Sequence, residues 1–454
     1  MSDRYDAIVL GDGIGALVAA ATLATGKARV LWVPHERQTW SFPAGGHRFP
    51  VEDGPFIGLG LEGAFPTLAE ATGIHISESA KFKPLSPPLQ ILTPTFRMDL
   101  PLSPEALADE AERELGAPRA EVLRYVTMLD AVRKDTTQVL EDTARGRSKA
   151  RGSADARVSL GAAPAALQPA IRAVAAAMSR RDPADLEPVE LARVLGAFRG
   201  GVFEGPLGPL TLREMLLDRM RMLPITALRE RRVARLRSTL GKINGVALDD
   251  GSVHDAQVVV SALDAGHAPL LAGGWLGAKA LKPWGAEAIS ESFTLHLIVG
   301  KDVLPVGLAP RAIVSGSNGE DPILLARHPS DAKGLVRLSI TRRLPAHATG
   351  EARAAGMKVA LEPVRRVIPF LDDDLRGVFP PIGHPRDLAP EYGGDPWAHV
   401  RGPGVFRPTG GSPFSGPARG MVRAGADCLP GLGFEGEIAA GAGAARSLSL
   451  SRKN

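Results

Sequence analysis

With 454 residues, 44% of them hydrophobic and 23% charged, the chain has the composition of a globular protein too long for one simple core, so two or three domains are expected. A net charge of +4 over this length gives no grounds for a nucleic-acid partner, even with a pI near 9.3. The single cysteine, Cys428, excludes an intramolecular disulfide and any multi-cysteine metal site, and no metal ligand set is expected.

The opening "MSDRYD" carries acids and lacks the basic region of a signal peptide. A cytoplasmic location is expected, with surface contact to a membrane left open. Residues 8–24 are apolar, but they contain Asp12 and three glycines and fall short of the ~20 residues that a membrane helix needs. "YDAIVLG" reads as a buried strand, "ALVAAATLATG" as a helix ending at Gly26, and "ARVLWV" as a second buried strand. Residues 34–65, rich in glycine, proline and aromatics, read as an extended loop with short strands.

From Ser103, "SPEALADEAERELG" offers an N-cap serine, a proline at the first helical position and acids in the first turn. "PRAEVLRYVTMLDAVRKDTTQVLEDTARG" continues as helix. The basic stretch 145–157 lacks large apolar residues and reads as a solvated connector rather than a polyanion site. Helices are expected over 163–180 and 209–223. Strands return with "RVARLRS", "INGVALDDGSVHDAQVVVSAL" and "FTLHLIVG", and "LDDGS" marks a hairpin turn. "EARAAGMKVALEPVRRVIPFL" and "EGEIAAGAGAARSLSL" read as helices. There is no internal repeat, and the order implies two domains whose segments interleave.

The chemistry sits first in the glycine cluster. Gly11 and Gly13 follow the first strand directly, and Ala16 takes the third position of a G-x-G-x-x-G/A pattern. Gly11 permits the tight turn, Gly13 lets the backbone approach a diphosphate, and Ala16 lets helix and strand pack closely. Asp12 places a carboxylate inside this loop, a penalty for a diphosphate unless the side chain points away. The acid that accepts bonds from the adenosine ribose is expected at the end of the second strand, where the chain reads "LWVPHE" with Pro34 at that position. Glu36 or His35 are the substitutes, with an exposed loop as the alternative.

Three stretches together, "DAIVLGDGIGALVAAATLA", "VALDDGSVHDAQVVVSALDAGHAPLL" and "VRAGADCLPGLGFEGEIAAGAGAARSL", resemble the phytoene-desaturase-like branch of the flavin amine-oxidase superfamily. They cover about a fifth of the chain, in the family's order. The resemblance implies an α/β fold: a FAD-binding, Rossmann-like domain with an interleaved α+β substrate domain. The FAD domain would gather 1–75, 225–270 and 410–454, and the substrate domain 76–224 (mainly helical) and 271–409. It places Gly11, Gly13, Ile14, Gly15 and Ala16 around the FAD pyrophosphate, with Gly45 and Gly46 as a second glycine pair followed by the basic Arg48. Glu36 stands in for the ribose acid, and Val233 marks the strand whose backbone meets the adenine. Gly425, Ala426 and Asp427 match the strand end near the flavin, and Gly433 and Phe434 open the helix whose N-terminus faces it. Pro430, Gly431 and Gly436 complete that Pro-Gly turn.

The implied activity is hydride transfer from a small apolar, polyene- or terpenoid-like substrate onto flavin N5. An amine oxidase or a flavin-dependent isomerase is the alternative within enzymes, and a non-catalytic scaffold with a degenerate FAD site is the alternative of another class. Cys428 is a small buried residue or a redox group. Asp427, Glu435 and Glu437 are acids favouring a helix N-terminus or proton carriers. His47 and His267 are candidates for polar contacts only. The run "RERRVARLR" reads as a solvated strand, and Trp275 and Trp284 lie in an apolar stretch suited to core packing or to a membrane surface. No residue is singled out as a general base, and the oligomeric state is not legible.

Overall fold

The computed structural model describes residues 4–34, 40–44, 46–54, 56–57, 63–75, 81–147, 158–263, 271, 288–345, 348–379, 404–406, 414, 416, 418–429 and 431–448. The first strand, Arg4–Leu10, leads through the glycine turn into the first helix, Ile14–Thr25, and on to the second strand, Val30–Val33. The two strands pair in parallel, Ala7 opposite Val30 and Leu10 opposite Val33. On its other edge the first strand pairs in parallel with Val253–Ser261, which pairs in turn with Met421–Arg423. Ile225–Ala227 lies parallel to the second strand, and Val233–Thr239 and Lys242–Leu248 add an antiparallel extension. This seven-stranded sheet therefore draws its strands from three separated stretches of chain.

Alternation along the first strand explains the layering. Ala7 and Val9 face the helical side, packing with Leu17, Val18 and the C-terminal helix Gly433–Arg446. Ile8 and Leu10 face the other side, against Val233, Leu236, Ile243 and Val246. Each fully buried aliphatic side chain contributes about 1.5–3 kcal/mol relative to exposure. The first helix is buried on nearly every face, which is why its sequence is almost wholly apolar. It meets the C-terminal helix at very close range, because a Cβ on Gly441 would lie 2.4 Å from the Gly15 carbonyl oxygen. The expected hairpin forms at Asp249–Ser252, closed by the Leu248 N–H donating to the Ser252 carbonyl at 2.9 Å.

An eight-stranded sheet forms the second layer system, and its longest pair is Ala288–Gly300 against Leu335–Pro345. Phe293, Leu295, Leu297 and Val299 pack onto Met357, Ala360, Leu361 and Val364 of the helix Gly350–Val367. The opposite face carries Ser292, Thr294 and His296 beside Ser339 and Thr341, all buried and all polar. Helices Pro104–Leu115, Arg119–Ala144, Gln168–Ser179 and Pro188–Ala197 build the rest of this half around a separate core. Ser103 caps the first of them as expected, accepting from the Ala106 N–H at 3.3 Å. No helix among the described residues is long and apolar enough to cross a membrane.

Candidate functional site

The glycine turn is held from behind. Gly11 has a φ of +115°, a conformation that only glycine adopts without strain, and its N–H donates to the Val33 carbonyl at 3.0 Å. The indole N–H of Trp32, buried in the second strand, donates to the Gly11 carbonyl at 2.8 Å. Gly13 is the N-cap of the first helix, with extended backbone and no side chain to cap it. At Gly15 the requirement is for packing, because a Cβ there would lie 2.0 Å from the Ala424 carbonyl oxygen. Ala16 is fully buried between helix and sheet.

Two carboxylates border this turn. Asp12 is turned aside: its oxygens lie 2.7 and 2.8 Å from Nη2 of Arg213, and the Trp40 indole N–H donates to it at 3.2 Å. Arg213 also sits 5.1 Å from the centre of the Trp40 ring. Burial pushes the Asp12 carboxyl up, and Arg213 and Trp40 offset only part of that rise. Glu437 takes the other position. Its Oε2 accepts from the Gly15 N–H at 3.3 Å and would be 3.4 Å from a Cβ built on Gly13. Among the described residues it is the only atom within 4 Å of that point.

The backbone of the turn thus fits a dinucleotide diphosphate. Space lies over Gly13, N–H groups point from the helix end, and Asp12 is neutralised by Arg213. Among the described residues, the Glu437 carboxylate is the group that occupies the space over Gly13. Arg180, lowered to about 10 by burial, is partly compensated by Glu437. It pairs with Glu52, donates to Ser292 Oγ at 3.4 Å and accepts through its carbonyl from Ser290 Oγ at 2.8 Å. Arg180 therefore ties the cradle to the polar face of the eight-stranded sheet.

That polar face carries a buried cluster of ionisable groups around Asp53. Asp53, wholly buried, accepts from Ser339 Oγ at 2.5 Å, lies 2.5 Å from His328 Nε2, and receives Arg337 Nη2 at 3.4 Å. Burial drives its carboxyl upward, yet His328, Arg337 and Arg311 together hold it well below the usual carboxylate range. His296 bonds Ser339 Oγ through Nδ1 at 2.8 Å and the Pro50 carbonyl through Nε2 at 2.8 Å, with its ring stacked on Phe49 at 4.9 Å. Burial lowers it to about 3, so it is neutral. Beside the cluster opens a cavity of about 400 Å³, bounded by the hairpin Ser41–Ala44 and His47–Pro50, the strand Leu335–Pro345 and the segment around Lys83.

The remaining expected site residues fall in several places. Glu36, His35, Gly45, Pro430, His267, Trp275 and Trp284 lie outside the described residues. Pro34 is buried directly after the second strand. Gly46 is exposed at the tip of the hairpin, φ +75°, with no atom within 4 Å of a built Cβ. Arg48, on the same hairpin, pairs with Glu214 at 2.7 Å on the surface. Val233 is buried in the sheet core and its backbone pairs with Leu248. Gly425 heads the short turn Ala426–Cys428, and Asp427 pairs with Arg423. The Cys428 thiol is buried and pushed up by that burial, the environment of an inert thiol. Gly433 opens the last helix and Phe434 packs against the helical core. Glu435 is engaged by Arg133 of the long helix at 2.5 and 2.8 Å.

Trp32, Arg180, Arg213 and the Asp53 cluster escaped sequence reasoning. Arg213 meets Asp12 across 201 residues and His328 meets Asp53 across 275, so no local spacing announces either pair.

No family model and no curated protein matches the chain. Solved structures do. An oxidoreductase from Methanosarcina mazei superposes with a TM-score of 0.65 at 13% identity, covering 97% of this chain and 99% of that one. A double mutant of putrescine oxidase gives 0.63 at 11% identity over 97% and 98%, and cyclohexylamine oxidase from Brevibacterium oxydans 0.61 at 15% identity over 98% of both chains. At these identities the likeness is one of fold, and the chain shares the architecture of these structures over nearly its whole length.

Proposed function

We propose that the chain is a FAD-dependent oxidoreductase that oxidises a small organic substrate. The observation that carries this reading is the cradle over Gly13: a glycine N-cap after the first strand, where among the described residues only the Glu437 carboxylate comes within 4 Å of a built Cβ. Gly11, Gly13 and the first turn of the helix at Ile14–Ala16 would hold the diphosphate. Bound FAD supplies the two-electron acceptor for hydride. Arg213 neutralises Asp12 so that its charge does not oppose an anion at the turn. Ser292, Thr294 and Thr341 make the sheet face that Arg180 joins to the cradle polar, with Thr294 and Thr341 bonded to each other at 2.9 Å.

An apolar polyene, the expectation from the desaturase branch, draws no support from that face. The second reading, a scaffold without a cofactor, is favoured by one observation: Glu437 already accepts from the amide that a phosphate oxygen would use. The test is the visible spectrum of the purified protein, before and after incubation with FAD and removal of the excess. A flavin band that bleaches on anaerobic photoreduction and returns with an oxidant supports the enzyme. A colourless protein that takes up no FAD overturns it in favour of the scaffold.

A further inference from the structure

We propose that the cavity beside the Asp53 cluster is a binding site for a small organic carboxylate. Its lining carries four cations, Arg48, Lys81, Lys83 and Arg337, and two carboxylates, Glu204 and Asp331; Arg48 is paired with Glu214 and Arg337 with Asp53. Asp331 is turned to the backbone, accepting from the Lys333 and Leu335 N–H groups at 2.8 and 2.9 Å. Glu204 is turned to the interior, 3.4 Å from Arg311 and 3.1 Å from His328 Nδ1. Both acids are thus occupied inside the protein, while Lys83, paired through its strand with Glu204, is exposed and its ammonium group makes no hydrogen bond or ion pair among the described residues.

Arg337 is the anchor. Its Nη2 is fixed by Asp53 and by the Pro206 carbonyl at 3.2 Å, and its Nε is buried with no acceptor. Nε is enclosed and out of reach of a ligand, so the part of the side chain that lines the cavity is what a carboxylate would meet, on an arginine already held in place at Nη2. The interior gives an independent sign. Arg311 is 2% exposed, yet none of its three guanidinium nitrogens makes a hydrogen bond. It stands 3.6 Å from Asp53 and 3.4 Å from Glu204, leaving a buried cation incompletely satisfied behind the cavity wall. The other walls are apolar, with Ile298, Leu335 and Phe49 offering contact to a hydrocarbon body. The volume of about 400 Å³ lies within the range of small-molecule sites, ~300–1,000 Å³. A head group between Arg337 and Lys83 and an apolar body on Ile298 define an amphiphilic acid rather than an inorganic anion.

The site is separate from the cradle, so its test needs no flavin. Isothermal titration of the full chain compares phenylacetate with its neutral isostere phenylacetamide, with the cation phenethylamine and with inorganic phosphate. Phenylacetate is expected to bind at least ten-fold more tightly than the amide and phosphate, and the amine not at all. Lys83→Glu, at an exposed position, is expected to weaken phenylacetate about ten-fold, and Arg337→Met by more. Should Arg337→Met fail to fold, Lys83→Glu decides alone. Absence of phenylacetate binding, equal binding of the amide, phosphate binding as tightly as phenylacetate, or an unchanged affinity in Lys83→Glu overturns the proposal.

Discussion

Replacing Glu437 by alanine is expected to tighten FAD binding. The Glu437 carboxylate lies 3.3 Å from the Gly15 amide nitrogen. A phosphate oxygen accepting from the same N–H comes within about 4 Å of it, where two unit charges at an effective dielectric near 20 repel by about 4 kcal/mol. Rotation of the side chain and screening by salt remove about half, leaving ~2 kcal/mol, or about thirty-fold in affinity. The assay is quenching of FAD fluorescence on titration with apoprotein at low ionic strength. Glu437→Gln keeps the volume and removes the charge, so it should recover most of the gain. If neither variant binds more tightly than the wild type, the electrostatic argument is refuted. A gain in the alanine variant alone refutes it too, because volume rather than charge then accounts for the effect.

The buried pair Arg133–Glu435, with side chains 10% and 1% exposed, joins the long helix to the start of the last one. Glu435→Gln leaves the guanidinium buried without its counter-charge and should cost about 3–5 kcal/mol in urea unfolding, while an apolar double replacement recovers most of the loss. His296, held near 3 against an ordinary 6.5, is neutral when native and takes up its proton only on unfolding. Its contribution to stability is therefore complete above pH 6.5 and declines as the pH falls from there toward 3, at ~1.4 kcal/mol per unit. The urea midpoint of His296→Asn should fall less between pH 7 and 5 than that of the wild type, and an unchanged slope counts against this assignment.

Local signals carried most of the fold. The first strand, turn and helix are readable because each depends on neighbours within 25 residues: alternation, a glycine N-cap and an alanine-rich run. The hairpin at Asp249–Ser252 is readable for the same reason. "AGGHRF" shows the limit of such reading. Two glycines between short extended segments mark a cofactor-facing pair or a hairpin tip equally well, and Gly46 sits at an exposed tip. In "SESFTLHLIVG" the alternation was visible, yet the ionic meaning of its polar side was not. His296 acquires its partners from residues 50 and 339, and Asp53 from residues 328, 337 and 339. Charge pairs of this kind are fixed by topology, which one chain's spacing does not encode.

The close crossing of the first and last helices has a consequence for how the protein is made. Gly15 and Glu437 are 422 residues apart, and the surface beneath Gly15 is built by Ala424 and Gly441. The first helix is made more than 400 residues ahead of the helix that packs across it, so a chain folding during synthesis meets that partner late. Until then the faces of Gly15 and Val18 that meet Gly441 have no cover from this helix. Truncation ahead of Ala424 therefore removes more than a distant segment, because it leaves the glycine turn without its floor.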